Sequence, residues 1–207
     1  MRDTVLGRLV LRFSGHPENL ATEALVYLLQ SDVARDAIRR RLTTEAASYP
    51  EDLRFRAQVH GEQGEIPDVV GTDADGAAQV VLEAKFWAQL TPNQPVTYLR
   101  GVSGVPPRVL AFVVPRLRFE TIWPELLRRC AAGSIVVDRI TDHGDLRSAT
   151  TADGVLLAIV SWARLLEDIR WRWRTRVTMV SPRTPGSWKG LLTRWIPPRL
   201  YRSTAVS

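Results

Sequence analysis

Apolar and polar positions along the chain change period several times, and each change marks an element. From Pro17 to about Leu42 the spacing is helical, with Leu20, Ala24, Leu25, Tyr27, Leu28 and Leu29 forming a broad apolar face. Ser31-Asp32 interrupts that stretch, and Asp32 is placed to cap a second helix through Ile38 to Leu42. Leu53, Phe55, Ala57 and Val59 then alternate with Arg54, Arg56, Gln58 and His60, the period of a half-buried strand. Ile66 to Val70 and Gln79 to Ala84 are short apolar runs on either side of the turn signal Asp73-Ala74-Asp75-Gly76, so residues 65–85 read as a hairpin.

Beyond the hairpin, Thr91-Pro92-Asn93-Gln94-Pro95 opens a helix expected to run to about Val102, since proline is tolerated in a first turn. Val109 to Val114 is a strand, Phe119 to Ala132 a helix stopped by Gly133, and Ile135-Val136-Val137 a short strand. Asp142-His143-Gly144-Asp145 is a loop, and Val155 to Ile169 is expected to form a last amphipathic helix. The order of helix, three strands, helix, strand, helix, strand, helix predicts an α/β fold, a three-layer sandwich with a central mixed sheet between helices. After Arg170 the pattern breaks down. Prolines 182, 185, 197 and 198 and a lack of acids predict a basic Arg/Trp/Pro-rich, disordered tail over 171–207, appended to a domain of residues 1–170.

Charge sharpens that division. Net charge is +6, yet nine basic and no acidic residues follow Asp168; without those nine, 19 basic residues face 22 acidic ones. Arg and Trp interleaved, as in Trp171-Arg172-Trp173-Arg174, suit nucleic-acid binding by charge and stacking. An abrupt compositional change of this kind is equally what a shifted reading frame in an arginine-biased gene produces. No apolar run reaches the length of a membrane span, and Met1-Arg2-Asp3-Thr4 lacks the apolar core of a secretory signal. Cys130 is the only cysteine, which rules out an intramolecular disulfide and fits a cytoplasmic protein. With three scattered histidines it offers no zinc-ligand spacing, and neither a phosphate-binding glycine-lysine loop nor a dinucleotide fingerprint occurs.

The chemistry concentrates in the hairpin. Asp68 and Glu83 are acids inside apolar strands, where a carboxylate is costly unless a cation or donors meet it. Glu83 and Lys85 are two apart and share a face. Lys85 is one of only two lysines, against 26 arginines. Two carboxylates and an amine meeting on one surface suit a hard divalent cation with a charge stabiliser or base beside it. By spacing alone the same residues also describe a surface ion pair flanking an edge strand.

Pro67-Asp68 followed by Glu83-Ala84-Lys85 resembles the signature of the PD-(D/E)XK nuclease superfamily. Gln94 and Tyr98 carry the QxxxY spacing of its RecB-like branch, and a helix holding Glu18 and Glu23 precedes the hairpin. The resemblance spans roughly residues 17–140. It implies a restriction-endonuclease-like core and a nuclease acting on DNA in genome defence or repair. The alternative is a non-cleaving nucleic-acid-binding or partner-docking module on the same fold. Asp68 and Glu83 would be metal ligands with the Ala84 carbonyl as a third, Lys85 the catalytic lysine and Glu23 the helix carboxylate. Mg2+ would be the cofactor, with Mn2+ able to substitute, and Gln94 and Tyr98 would face the nucleic-acid backbone. DNA and a protein partner are the implied partners, with dimerisation left open. Phe86 and Trp87, next after the lysine, either seal the core or stack on a base.

Overall fold

A computed structural model describes residues 17–42, 53–57, 66–102 and 108–179. Their elements run α1 (Pro17–Leu29), α2 (Asp32–Leu42), β1 (Arg54–Ala57), β2 (Val69–Thr72), β3 (Ala78–Ala84) and α3 (Val96–Gly101). There follow β4 (Arg108–Val114), a 3-10 turn (Arg116–Arg118), α4 (Phe119–Ala132), β5 (Val137–Asp142), β6 (Leu146–Thr151), β7 (Val155–Ser161) and α5 (Trp162–Met179). Among the described residues the seven strands form one mixed sheet in the order β1-β2-β3-β4-β7-β6-β5. β3, β4 and β7 are parallel neighbours at its centre, and antiparallel pairs extend it on both sides.

Helices cover both faces, so the expected α/β sandwich is present. Val80 and Leu82 of β3 pack with Leu25 and Leu29 of α1, Ile38 of α2 and Leu165 and Ile169 of α5. The intervening Val81 packs on the other side with Leu99 of α3 and Phe119, Ile122 and Leu126 of α4. The central strand β4 is buried on both faces from Val109 to Val114, as crossover helices require of a parallel strand.

Local chemistry explains several boundaries. Ser31 Oγ, rather than the expected Asp32, caps α2 by accepting the Val33 N–H at 3.2 Å; Asp32 is the first residue of the helix and pairs with Arg35. Asp73 Oδ1 accepts the N–H groups of Asp75 and Ala77 at 3.0 and 2.9 Å, and Gly76 takes φ +84°, which closes the β2–β3 hairpin. Gly133 ends α4 where a Cβ would lie 2.6 Å from Val96 Cγ2, so α3 and α4 approach too closely there for a side chain.

The C-terminal third differs from expectation. Val155 to Ser161 is a strand, not the start of a helix. Its run Val-Leu-Leu-Ala-Ile-Val is apolar on both sides because it pairs in parallel with β4 beneath helices on both faces, and such a run has no period to read. Leu146–Thr151, unassigned by pattern, is β6. The 91–102 helix is shorter than expected: turns occupy 92–95 and α3 begins at Val96.

The boundary placed after Arg170 falls inside α5, which continues through Trp171-Arg172-Trp173 to Met179. Ser161 Oγ starts that helix by accepting the Arg164 N–H at 3.1 Å. Ion pairs to α2 carry it past the compositional break: Arg41 grips Asp168 at 2.5 and 2.7 Å, and Arg172 pairs with Asp36. Burial pushes the Asp36 carboxyl up, but hydrogen bonds from Arg39 and Arg172 outweigh it and hold the group below its ordinary range. The remaining expected tail, 180–207, lies outside the described residues.

Leu110, fully buried in β4, sits at the centre of this arrangement. Leu110→Ala should destabilise the domain by about 2–5 kcal/mol, the usual cost of emptying a leucine-sized core site. Urea unfolding followed by circular dichroism checks this.

Candidate functional site

The β2–β3 ladder ends at Val69↔Leu82, so the next residues outward, Asp68 and Glu83, stand opposite each other. Pro67 has no N–H with which to continue the ladder. Side chains take over instead. Asp68 Oδ2 accepts the Ala84 N–H at 2.7 Å, and the Asp68 N–H points to Glu83 Oε2 at 3.3 Å. Each acid thus accepts a main-chain N–H from the opposite strand.

Alternation along β3 puts Glu83 and Lys85 on the side of Val81, toward α3 and α4. Lys85 Nζ lies 2.9 Å from Glu83 Oε1. The Gln94 carboxamide reaches the same oxygen at 2.6 Å, donates to the Tyr98 hydroxyl at 3.3 Å, and accepts the Thr91 N–H at 3.1 Å. Relative exposures of 4% for Glu83, 7% for Lys85 and 1% for Gln94 make this a buried polar network, while Asp68 is half-buried. Asp68, Glu83, Ala84, Lys85, Gln94 and Tyr98 thus meet at one end of the sheet. The ion pair is buried, which removes the exposed surface-pair reading.

Glu23 is not brought to this point. It is exposed on α1, whose buried leucines pack on the opposite face of the sheet. Among the described residues no group of three His, Cys, Asp or Glu side chains is positioned to hold a metal ion. A site here therefore has two carboxylates and main-chain oxygen to offer. That donor set suits Mg2+, which commonly takes one or two carboxylates and keeps several waters.

A second layer, not anticipated from sequence, holds the network in place. Arg129 of α4 donates to the carbonyls of Leu90 at 3.3 Å and Gln94 at 3.1 Å, and also to that of Thr91. Glu125 Oε1 orients it by accepting Arg129 Nε at 2.7 Å. The only sequence signal for this clamp is an i,i+4 acid–arginine pair, which ordinarily means a solvated helix face. Hydrogen bonds from Arg128 and then Arg129 pull the Glu125 carboxyl down to about 2. A groove of about 720 Å³ lined by α2, β1 and α5 residues, including Asp36, Phe55 and Arg172, includes none of the acids or the lysine of the network.

No family model, curated protein or solved structure matches the chain. No helix among the described residues is long and apolar enough to cross a membrane.

Two outcomes test the network. Glu83→Ala leaves Lys85 buried without its counter-ion and should cost about 3–5 kcal/mol, whereas Glu83→Leu combined with Lys85→Met should recover most of that loss; a double-mutant cycle by urea denaturation reads both. The Glu125 contribution to stability should be complete above pH 4.5, its ordinary value, and fade as pH falls toward about 2. Glu125→Gln should flatten that stretch of the pH dependence in thermal melts.

Proposed function

We propose that this chain is a metal-dependent nuclease that hydrolyses DNA phosphodiester bonds, on a restriction-endonuclease-like core of the PD-(D/E)XK class. The observation that carries the reading is the meeting of Asp68, Glu83 and Lys85 at one sheet end, with Gln94 and Tyr98 joined to the same carboxylate. The succession of helices, β1-β2-β3, α3 and β4 agrees with the core order that this resemblance implies.

In this reading Asp68 and Glu83 hold Mg2+ or Mn2+, with the Ala84 carbonyl beside them. The cation supplies Lewis-acid polarisation of the phosphate and a more acidic bound water. Lys85 stands beside Glu83, where its amine can neutralise charge gathering on the phosphate oxygens or orient the attacking water. Gln94 fixes the Glu83 carboxylate, and Arg129 fixes Gln94, so the acid keeps one orientation before substrate arrives. Genome defence or repair is the setting that the resemblance suggests.

One observation favours a second reading, a nucleic-acid-binding or partner-docking module that does not cleave. The acids' oxygens already have internal partners: the Ala84 N–H on Asp68, and Gln94 and Lys85 together on one oxygen of Glu83. A cation entering there must displace or share those contacts.

Nicking of supercoiled plasmid and degradation of single-stranded DNA in Mg2+ or Mn2+ test the choice. The nuclease reading expects cleavage that EDTA stops and that Asp68→Ala and Lys85→Ala each reduce by about 100-fold or more, as loss of a transition-state charge stabiliser usually does. Cleavage that survives both substitutions overturns the assigned roles. DNA retention without cleavage in either metal selects the second reading.

A further inference from the structure

We propose that Trp87 is a stacking platform for an unpaired nucleobase, which makes the substrate of the Asp68–Glu83–Lys85 site a single-stranded stretch of polynucleotide. The inference deepens the nuclease reading and rests on it.

Trp87 lies two residues after Lys85, in the bend that follows β3. Two residues span at most about 7 Å of chain, so the backbones of Lys85 and Trp87 are close neighbours. Despite its size Trp87 is 74% exposed, so it does not seal the core. Its backbone, in contrast, is held from two sides. Phe86 stacks on Trp162 at the start of α5, with centroids 5.1 Å apart and planes 19° from parallel. Arg118, on the turn after β4, donates through one nitrogen to the carbonyls of Phe86 at 3.0 Å and Ala88 at 2.8 Å. One guanidinium thus grips the carbonyls on both sides of Trp87. The turn carrying Arg118 also presents Leu117, 90% exposed, and Arg116.

At 74% exposure on an anchored backbone, the indole presents ring surface to a ligand. An indole has few rotatable bonds, so stacking against it loses little conformational entropy. Every base offers a π-face, which makes such a platform tolerant of sequence. Inside a duplex both faces of a base are already stacked, so only an unpaired or terminal base is open to the ring. A base seated on Trp87 would bring its neighbouring phosphate to the Lys85 end of the sheet.

The experiment uses the full chain in EDTA, which separates binding from hydrolysis. Fluorescence anisotropy compares a short labelled oligothymidine with a blunt duplex of equal length at one fixed salt concentration. Wild type should prefer the single strand. Trp87→Ala should weaken single-strand binding by about 5- to 150-fold, the range that ~1–3 kcal/mol per stacked base represents. Trp87→Phe should retain most of the affinity, and neither variant should change the melting temperature appreciably. The proposal is overturned by unchanged single-strand affinity in Trp87→Ala, by equal losses on the blunt duplex, or by no wild-type affinity for the single strand. A parallel cleavage assay in Mg2+ keeps the two ideas apart. Trp87-dependent binding without cleavage would sink the nuclease and leave the platform, while cleavage indifferent to Trp87 would do the reverse.

Discussion

A carboxylate and an amine buried within 2.9 Å of each other are what the sheet end is organised around. Neither charge can leave water cheaply, and their mutual attraction alone repays that cost poorly. The surrounding structure supplies the remainder as directed hydrogen bonds: Gln94 to one oxygen of Glu83, the Asp68 N–H toward the other, the Thr91 N–H to the Gln94 carboxamide, and that carboxamide to the Tyr98 hydroxyl. A network closed in this way fixes one arrangement of β2, β3 and the approach to α3. A chain needing only stability could fill the same space with leucine and methionine, so the retained charges make this end of the sheet the place to look for chemistry.

Rigidity is graded around that point. The acids sit where Pro67 ends the ladder, and side chains there do the pairing that main chain does elsewhere. Arg129 and Arg118 reach from the α4 region to main-chain carbonyls on the segment between β3 and α3. This connection, which is neither helix nor strand until Val96, is held by two guanidinium groups that the eye would assign to the solvated surface.

The legibility of the sequence followed the strength of local signals. The hairpin of β2 and β3 was plain because Asp73 and Gly76 specify a turn and the flanking runs are short and apolar. Asp68, Glu83 and Lys85 stood out as charges in apolar strands, and the fixed period of a strand placed Glu83 and Lys85 on one face. Gln94 and Tyr98 met as their spacing suggests, although Gln94 precedes the helix and reaches back from a turn. Val155 to Ser161 misled because a strand buried on both faces looks like a buried helix when nothing alternates. Glu23 misled for a different reason: helical position says which face a residue occupies, but not which face of the sheet its helix will cover. The extension of α5 past Arg170 depends on Asp36 and Asp168, one of them more than a hundred residues upstream, and no local window contains that information.

The Arg129 clamp has a consequence for how this region can change. It binds carbonyl oxygens, which every amino acid carries, rather than any particular side chain. Pro92 and Asn93 are exposed and have no assigned part in holding Gln94. They can drift over evolutionary time, or be exchanged by an engineer for other residues, while the glutamine that follows them keeps its aim. A grip on the main chain in this way separates the variability of a loop from the constancy of what it delivers.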